Sequence, residues 1–123
     1  MTQFPDHLQY TVEHEWLAEG SPVTFGITQT AAEALGELVY VELPAVGDAV
    51  TAGAVCGEVE STKSVSELFS PVTGTVVEVN EAAVDDPALV SSDPYGEGWL
   101  LRVDVTETGP LLTAEEYRAR VEA

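Results

Sequence analysis

Lys63 is the only lysine among 123 residues, and it stands in the run Glu60-Ser61-Thr62-Lys63-Ser64-Val65-Ser66-Glu67. A lysine works as a Schiff-base or general-base group only where burial or neighbouring cations suppress its charge. Here Glu58, Glu60 and Glu67 flank it and no arginine is near. These carboxylates favour the ammonium form and leave a poor nucleophile. The chemistry open to such a residue is acylation by another enzyme. A solvated, unmodified turn lysine is the ordinary alternative, because lysine is usually exposed.

Other reactive side chains are few. Cys56 is the single cysteine, so no internal disulfide is possible and a reducing compartment is allowed. It shares an alternating strand face with Glu58 and Glu60, a setting that raises a thiol's pKa and argues for a structural role. His7 and His14 have no second histidine or cysteine at ligand spacing, and no metal site is expected. His14-Glu15-Trp16 could form a binding patch, although such alternation on a strand more often separates a core face from a solvated one. There is no glycine-rich phosphate loop and no nucleophile elbow. No catalytic residue stands out among 22 acidic side chains.

Those 22 Asp and Glu face only 4 Lys and Arg, a formal net charge of -18. Such a surface repels phosphate backbones and anionic lipids, which argues against nucleic-acid and membrane partners. It suits partners with basic patches, or simple solubility. Length and a hydrophobic fraction of 45% fit one domain with one core. No apolar run approaches the roughly 20 residues of a membrane span. The start, Met1 to Asp6, lacks the basic flank of a signal peptide and the arginines of a transit peptide, so a cytoplasmic location is expected.

The elements that would position Lys63 come from two similar segments offset by 27 residues. Pro44 falls on Pro71, Gly47 on Gly74 and Val50 on Val77. Each copy reads as strand, Pro-x-x-Gly turn, strand, and two copies suit facing half-sheets rather than a solenoid. Lys63 lies on the hairpin tip between them. Before this core, Tyr10 to Leu17 reads as extended, Gly20-Ser21-Pro22 as a turn, and Val23 to Ile27 as the returning strand. Pro22 indicates an edge or a strand start. A short helix near 28–35 follows, N-capped by Thr28 or by Thr30 with Glu33, and closed by Gly36. Val39, Val41 and Leu43 alternate with Tyr40 and Glu42, and Val77 and Val79 with Val76 and Glu78. Residues 81–98 read mostly as loop, and Trp99 to Val105 as a last strand. Thr113 with Glu116 makes a capping box and Leu112 with Tyr117 a staple for a helix over 114–122, where Arg118 and Arg120 suit the dipole. The class is mostly β, a small sandwich or flattened barrel.

Taken in order, Tyr10, His14-Glu15-Trp16, Gly26-Ile27-Thr28, Leu35-Gly36, Val39 to Pro44, Glu60 to Lys63, Ser70 to Gly74, Asn80, Pro94 to Leu100 and Glu116-Tyr117 resemble the H proteins of the glycine cleavage system over nearly the whole chain. The resemblance implies a barrel-sandwich hybrid of the lipoyl/biotinyl-carrier type, one lipoyl-carrier domain over 1–123. Within it lie a hairpin extension 8–27, a lipoyl core at about 38–80, and a C-terminal strand and helix over 98–122. It implies lipoate amide-linked to Lys63 by a lipoate ligase or lipoyltransferase. The arm would take an aminomethyl group from the pyridoxal-phosphate glycine decarboxylase, present it to the tetrahydrofolate-dependent aminomethyltransferase, and be reoxidised by the FAD enzyme dihydrolipoamide dehydrogenase. The protein itself would be a monomeric, non-catalytic carrier. Glu15 and Glu67 are the positions the resemblance offers as contacts for the loaded arm, each otherwise a plain surface glutamate. Thr62 and Ser64 stand where many members carry Val and Ala, which leaves the modifying enzyme open.

Three other readings stay open at this stage. Acyltransferase lipoyl domains and biotinyl domains share the half-to-half symmetry, but the former lack the hairpin extension and terminal helix, and the latter flank their lysine with methionines. A lipoyl relay donor to other complexes needs the same modified lysine. An unmodified acidic interaction module would tolerate Lys63→Arg, whereas a carrier would not.

Overall fold

The structure, a computed structural model, describes residues 4–122. Met1 to Gln3, on which part of the leader reading rests, and Ala123 lie outside the described residues. The chain runs β1 (Gln9–Tyr10), β2 (Glu15–Ala18), β3 (Val23–Ile27), α1 (Gln29–Leu35), β4 (Leu38–Glu42), β5 (Ala49–Val50), β6 (Val55–Ser61) and β7 (Val65–Phe69). It continues through β8 (Val72–Val79), α2 (Glu81–Asp85), α3 (Ala88–Ser92) and β9 (Leu101–Thr108) to α4 (Ala114–Glu122). One sheet has the order β1-β2-β3-β9-β8-β5, the other β4-β6-β7, and neither closes on itself. The fold is therefore the expected mostly-β hybrid at its sandwich end. No helix among the described residues is long and apolar enough to cross a membrane.

Two apolar clusters hold it together. The larger draws Leu17, Phe25 and Leu101 from the six-stranded sheet and Val41, Val59 and Leu68 from the three-stranded one. Burying such side chains stabilises by about 1.5–3 kcal/mol each. The smaller cluster joins Phe4, Leu8, Tyr10 and Trp16 to Ala114 and Tyr117, and so fastens α4 to the N-terminal strands. Tyr117 stacks on Tyr10 with ring centroids 4.7 Å apart.

Helix ends follow local chemistry. Thr28, not Thr30, caps α1: its Oγ1 accepts the Ala31 N–H, and Gly36 closes the other end at φ +84°. The capping box of α4 forms as expected. The Glu116 N–H donates to Thr113 Oγ1 at 3.1 Å, and the Thr113 N–H donates to Glu116 Oε1 at 2.8 Å.

Several expectations change. Tyr10 to Leu17 is not one extended arm, because the chain turns at Thr11 to His14 and β1 folds back with Tyr10 opposite Trp16. The Thr11 hydroxyl accepts the Glu15 N–H, a local bond that competes with strand pairing. Pro44 to Gly47 is a turn, with Gly47 at φ +96°, but its counterpart is not. Gly74 lies inside β8, where a Cβ would collide with the Asp104 carbonyl oxygen. Val39 is 51% exposed instead of sharing the buried face of Val41, since a bulge between Leu38 and Tyr40 resets the period. Residues 81–98 contain α2 and α3, each only five residues long with one buried side chain, Ala83 or Val90. One buried residue leaves no periodicity for a sequence to display.

Candidate functional site

The β6–β7 hairpin ends in a turn built by one hydroxyl. Ser61 is buried, and its Oγ accepts the N–H groups of Lys63 at 3.3 Å and Ser64 at 3.1 Å while the Ser61 N–H donates to the Ser64 carbonyl at 2.8 Å. Thr62, Lys63 and Ser64 are thereby turned into solvent. A Cβ at Gly36 would stand 3.4 Å from Lys63 Cε and 3.8 Å from Nζ. The lysine stem thus lies across the C-terminal end of α1, close to Gly36. Ser61 was not singled out by sequence reasoning, and its turn-forming role shows only once its N–H pairs back to Ser64.

Beside the tip, register places like charges in a row. Glu42 faces Glu58 across β4 and β6, and Glu58 faces Glu67 across β6 and β7. Such pairs oppose folding. Glu67 is exposed, on the outer surface near the hairpin. Tyr40, Glu60 and Val65 form the adjacent row, in which Tyr40 is 49% and Val65 56% exposed.

Glu15 has the opposite environment. It is 2% exposed, and its Cα pairs with Ile27. Thr11 Oγ1 donates to Glu15 Oε1 at 2.7 Å, and the main chain of Phe69 also bonds the carboxyl. Burial pushes this carboxyl up to about 7, against the pull of those two hydrogen bonds and with a small further push from Glu13. A cleft of about 160 Å³ opens beside it, lined by Thr11, Val12, Ser70, Pro71 and Leu112 among others. Cys56 packs against the core, and burial above all, then Glu15, pushes its thiol up to about 12. Among the described residues no cluster of His, Cys, Asp and Glu is arranged to hold a metal ion.

The structure therefore does not put Glu15 and Glu67 side by side. They are joined through β7: Glu67 lies two residues before Phe69, whose main chain reaches Glu15. His14 is in the left-handed region at φ +70°, and its Nδ1 is hydrogen-bonded to the Tyr117 hydroxyl at 2.7 Å. That hydroxyl also shares a hydrogen bond with Thr28 Oγ1 at 2.8 Å. Thr11 and the 103-residue separation between His14 and Tyr117 carried no signal in the sequence, because only the docking of α4 creates the contact.

The family model described as Glycine cleavage H-protein matches residues 8–123. A glycine cleavage system H protein from Corynebacterium aurimucosum is 55% identical over 123 residues, covering 95% of each chain. One from Thermobifida fusca is 62% identical over 115 residues, covering 92% of this chain and 91% of that one. The crystal structure of a glycine cleavage system H protein from Mycobacterium marinum superposes with a TM-score of 0.93 at 54% identity, covering 97% of this chain and 99% of that chain. With a family match across almost all of its length and relatives well above half identical, the chain belongs to the glycine cleavage H-protein family.

Proposed function

We propose that this chain, acting as one domain in the cytoplasm, is the lipoyl carrier of a glycine cleavage system, with lipoate amide-linked to Lys63. The observation that carries the reading is the Ser61-built turn, which exposes the only lysine at the tip of a hairpin in a member of this family. A modifying ligase must grip a projecting amine, and the exposed Thr62-Lys63-Ser64 tip provides one. When bound, the lipoyl group would supply a disulfide that glycine decarboxylase reductively aminomethylates; transfer of that group by aminomethyltransferase would leave the dithiol, which dihydrolipoamide dehydrogenase would reoxidise to the disulfide.

The chain's own residues would receive and shelter the arm. From Lys63 Cα to the sulfurs an extended lipoyl-lysine reaches roughly 16 Å by covalent bond lengths. β7 carries the chain about 13 Å from Val65 to Phe69, so an arm laid along that strand would be long enough to approach the Glu15 end of the hairpin. There the carboxyl can form a charge-assisted bond to an amine. Its exclusion from bulk water would protect the carried group. Glu67 sits along the way as a second, exposed carboxylate. The protein supplies no catalytic residue in this scheme.

Intact mass after incubation with lipoate ligase, lipoate and ATP tests the assignment. One lipoyl increment is expected on the native chain and none on Lys63→Arg. A folded native chain that stays unmodified beside a control substrate that is modified would remove the proposal.

A further inference from the structure

The turn between β1 and β2 holds the Glu15 carboxyl through Thr11, and the turn is itself braced from the far end of the chain. Thr11 makes two bonds to one residue with a single hydroxyl. Its Oγ1 accepts the Glu15 main-chain N–H at 3.1 Å and donates to Glu15 Oε1 at 2.7 Å. The Thr11 N–H meanwhile donates to the Glu15 carbonyl at 3.0 Å, and the His14 N–H to the Thr11 carbonyl at 3.2 Å. Closing this loop requires His14 at φ +70°, a region that costs a non-glycine residue free energy and persists only when something else holds it. Two groups outside the turn hold it: the Thr28 N–H donates to the His14 carbonyl at 3.0 Å, and Tyr117 of α4 is the side-chain partner, bonded to His14 Nδ1 at 2.7 Å. Tyr117 is itself immobilised, stacked on Tyr10 and bonded to Thr28 Oγ1.

We infer that Thr11 and Tyr117 are positioning residues for Glu15. Thr11 fixes the rotamer and hydrogen bonding of the carboxyl, and Tyr117 locks the left-handed His14 that lets Thr11 reach it. The C-terminal helix thus serves the carboxyl without touching the arm. The same Tyr117 hydroxyl meets the cap of α1, whose other end lies under Lys63. Both ends of the arm's path are therefore referred to one tyrosine. This inference rests on the reading of Glu15 as an arm contact.

The first readout needs no arm. Titration of the Glu15 side-chain carboxyl by ¹³C NMR in the unmodified protein should show Thr11→Val shifted upward by about one pH unit, the effect of losing one hydrogen bond to the charged form, and Thr11→Ser restored. The other ionisable groups around this carboxyl, Glu13, Cys56 and Tyr117, are the same in both variants. Tyr117→Phe keeps the ring stack and should speed hydrogen exchange at the Glu15 amide about tenfold while the β8–β9 amides hold their rates. It carries the test alone if Thr11→Val does not fold. A purely structural Thr11 would lower the melting temperature without moving the titration. An unmoved Glu15 titration in Thr11→Val, or unchanged Glu15 exchange in Tyr117→Phe, overturns the proposal. The arm reading is tested separately by Glu15→Gln in lipoylated protein carrying the aminomethyl group, followed by its release to water as formaldehyde and ammonia. Release several-fold faster than native supports it, and native-like release removes the arm reading while leaving the Thr11 and Tyr117 readouts to be judged by themselves.

Discussion

The hairpin tip around Lys63 and the turn around Glu15 are built on opposite principles. The tip is exposed, held by a single serine hydroxyl, and bordered by carboxylates that repel one another across β4, β6 and β7. The Glu15 turn is buried, crosslinked by Thr11 and braced from α4 through His14 and Tyr117. One region presents an exposed side chain, and on the proposed reading its solvated tip leaves room for a modifying enzyme to close around it. On the proposed reading the other must already be in place when a cargo arrives, because a buried carboxyl that reorganised on contact would lose part of its interaction to ordering. An exposed tip at one end and tertiary bracing at the other suit the proposed carrier, handled at its tip and sheltering its load on its body.

The largest effect expected from testing this contrast is at the tip. Lys63→Arg should abolish lipoylation in an intact-mass assay while leaving the melting temperature within about 1 °C, since an exposed substitution costs little. Tyr117→Ala should do the converse, losing about 3–5 kcal/mol of stability by removing a buried aromatic from the smaller cluster. Chemical denaturation would measure it, and Lys63 should still accept lipoate.

The next effect is a pH dependence. The Glu15 carboxyl titrates at about 7 in the folded chain against an ordinary 4.5, so between those values the folded state holds the extra proton. Stability must therefore fall as pH rises from about 4.5 to 7, by on the order of 3 kcal/mol from this group. Glu15→Gln should flatten that part of the stability curve. A smaller effect is expected for Ser61→Ala, about 1–2 kcal/mol from lost turn hydrogen bonds, together with slower lipoylation of Lys63. Smallest is Glu67→Gln, which should stabilise by a few tenths of a kcal/mol by relieving its repulsion from Glu58 across the pair. If that variant destabilises, the acidic row is not the strained surface described above.

The amino-acid sequence by itself determined the mostly-β class, the two capped helices α1 and α4, the place of Lys63 at a hairpin tip and the family resemblance. These rest on local rules. Thr113 and Glu116 satisfy each other three residues apart, Gly36 adopts a conformation that glycine favours, and a turn needs only its own few residues. Tertiary structure alone decided the rest. Bulges at Leu38/Tyr40 and Val76/Glu78 broke the twofold alternation, because pairing with a neighbouring strand sets which residue is extra. Gly74 sits within a strand because Asp104 comes too close for a side chain, which Pro-x-x-Gly spacing could not reveal. The two-sided hold on Glu15 depends on Phe69 and Tyr117, 54 and 102 residues further along the chain. Burial raises that carboxyl's pKa, and burial is a property of what packs over a residue, not of the residues beside it in the chain.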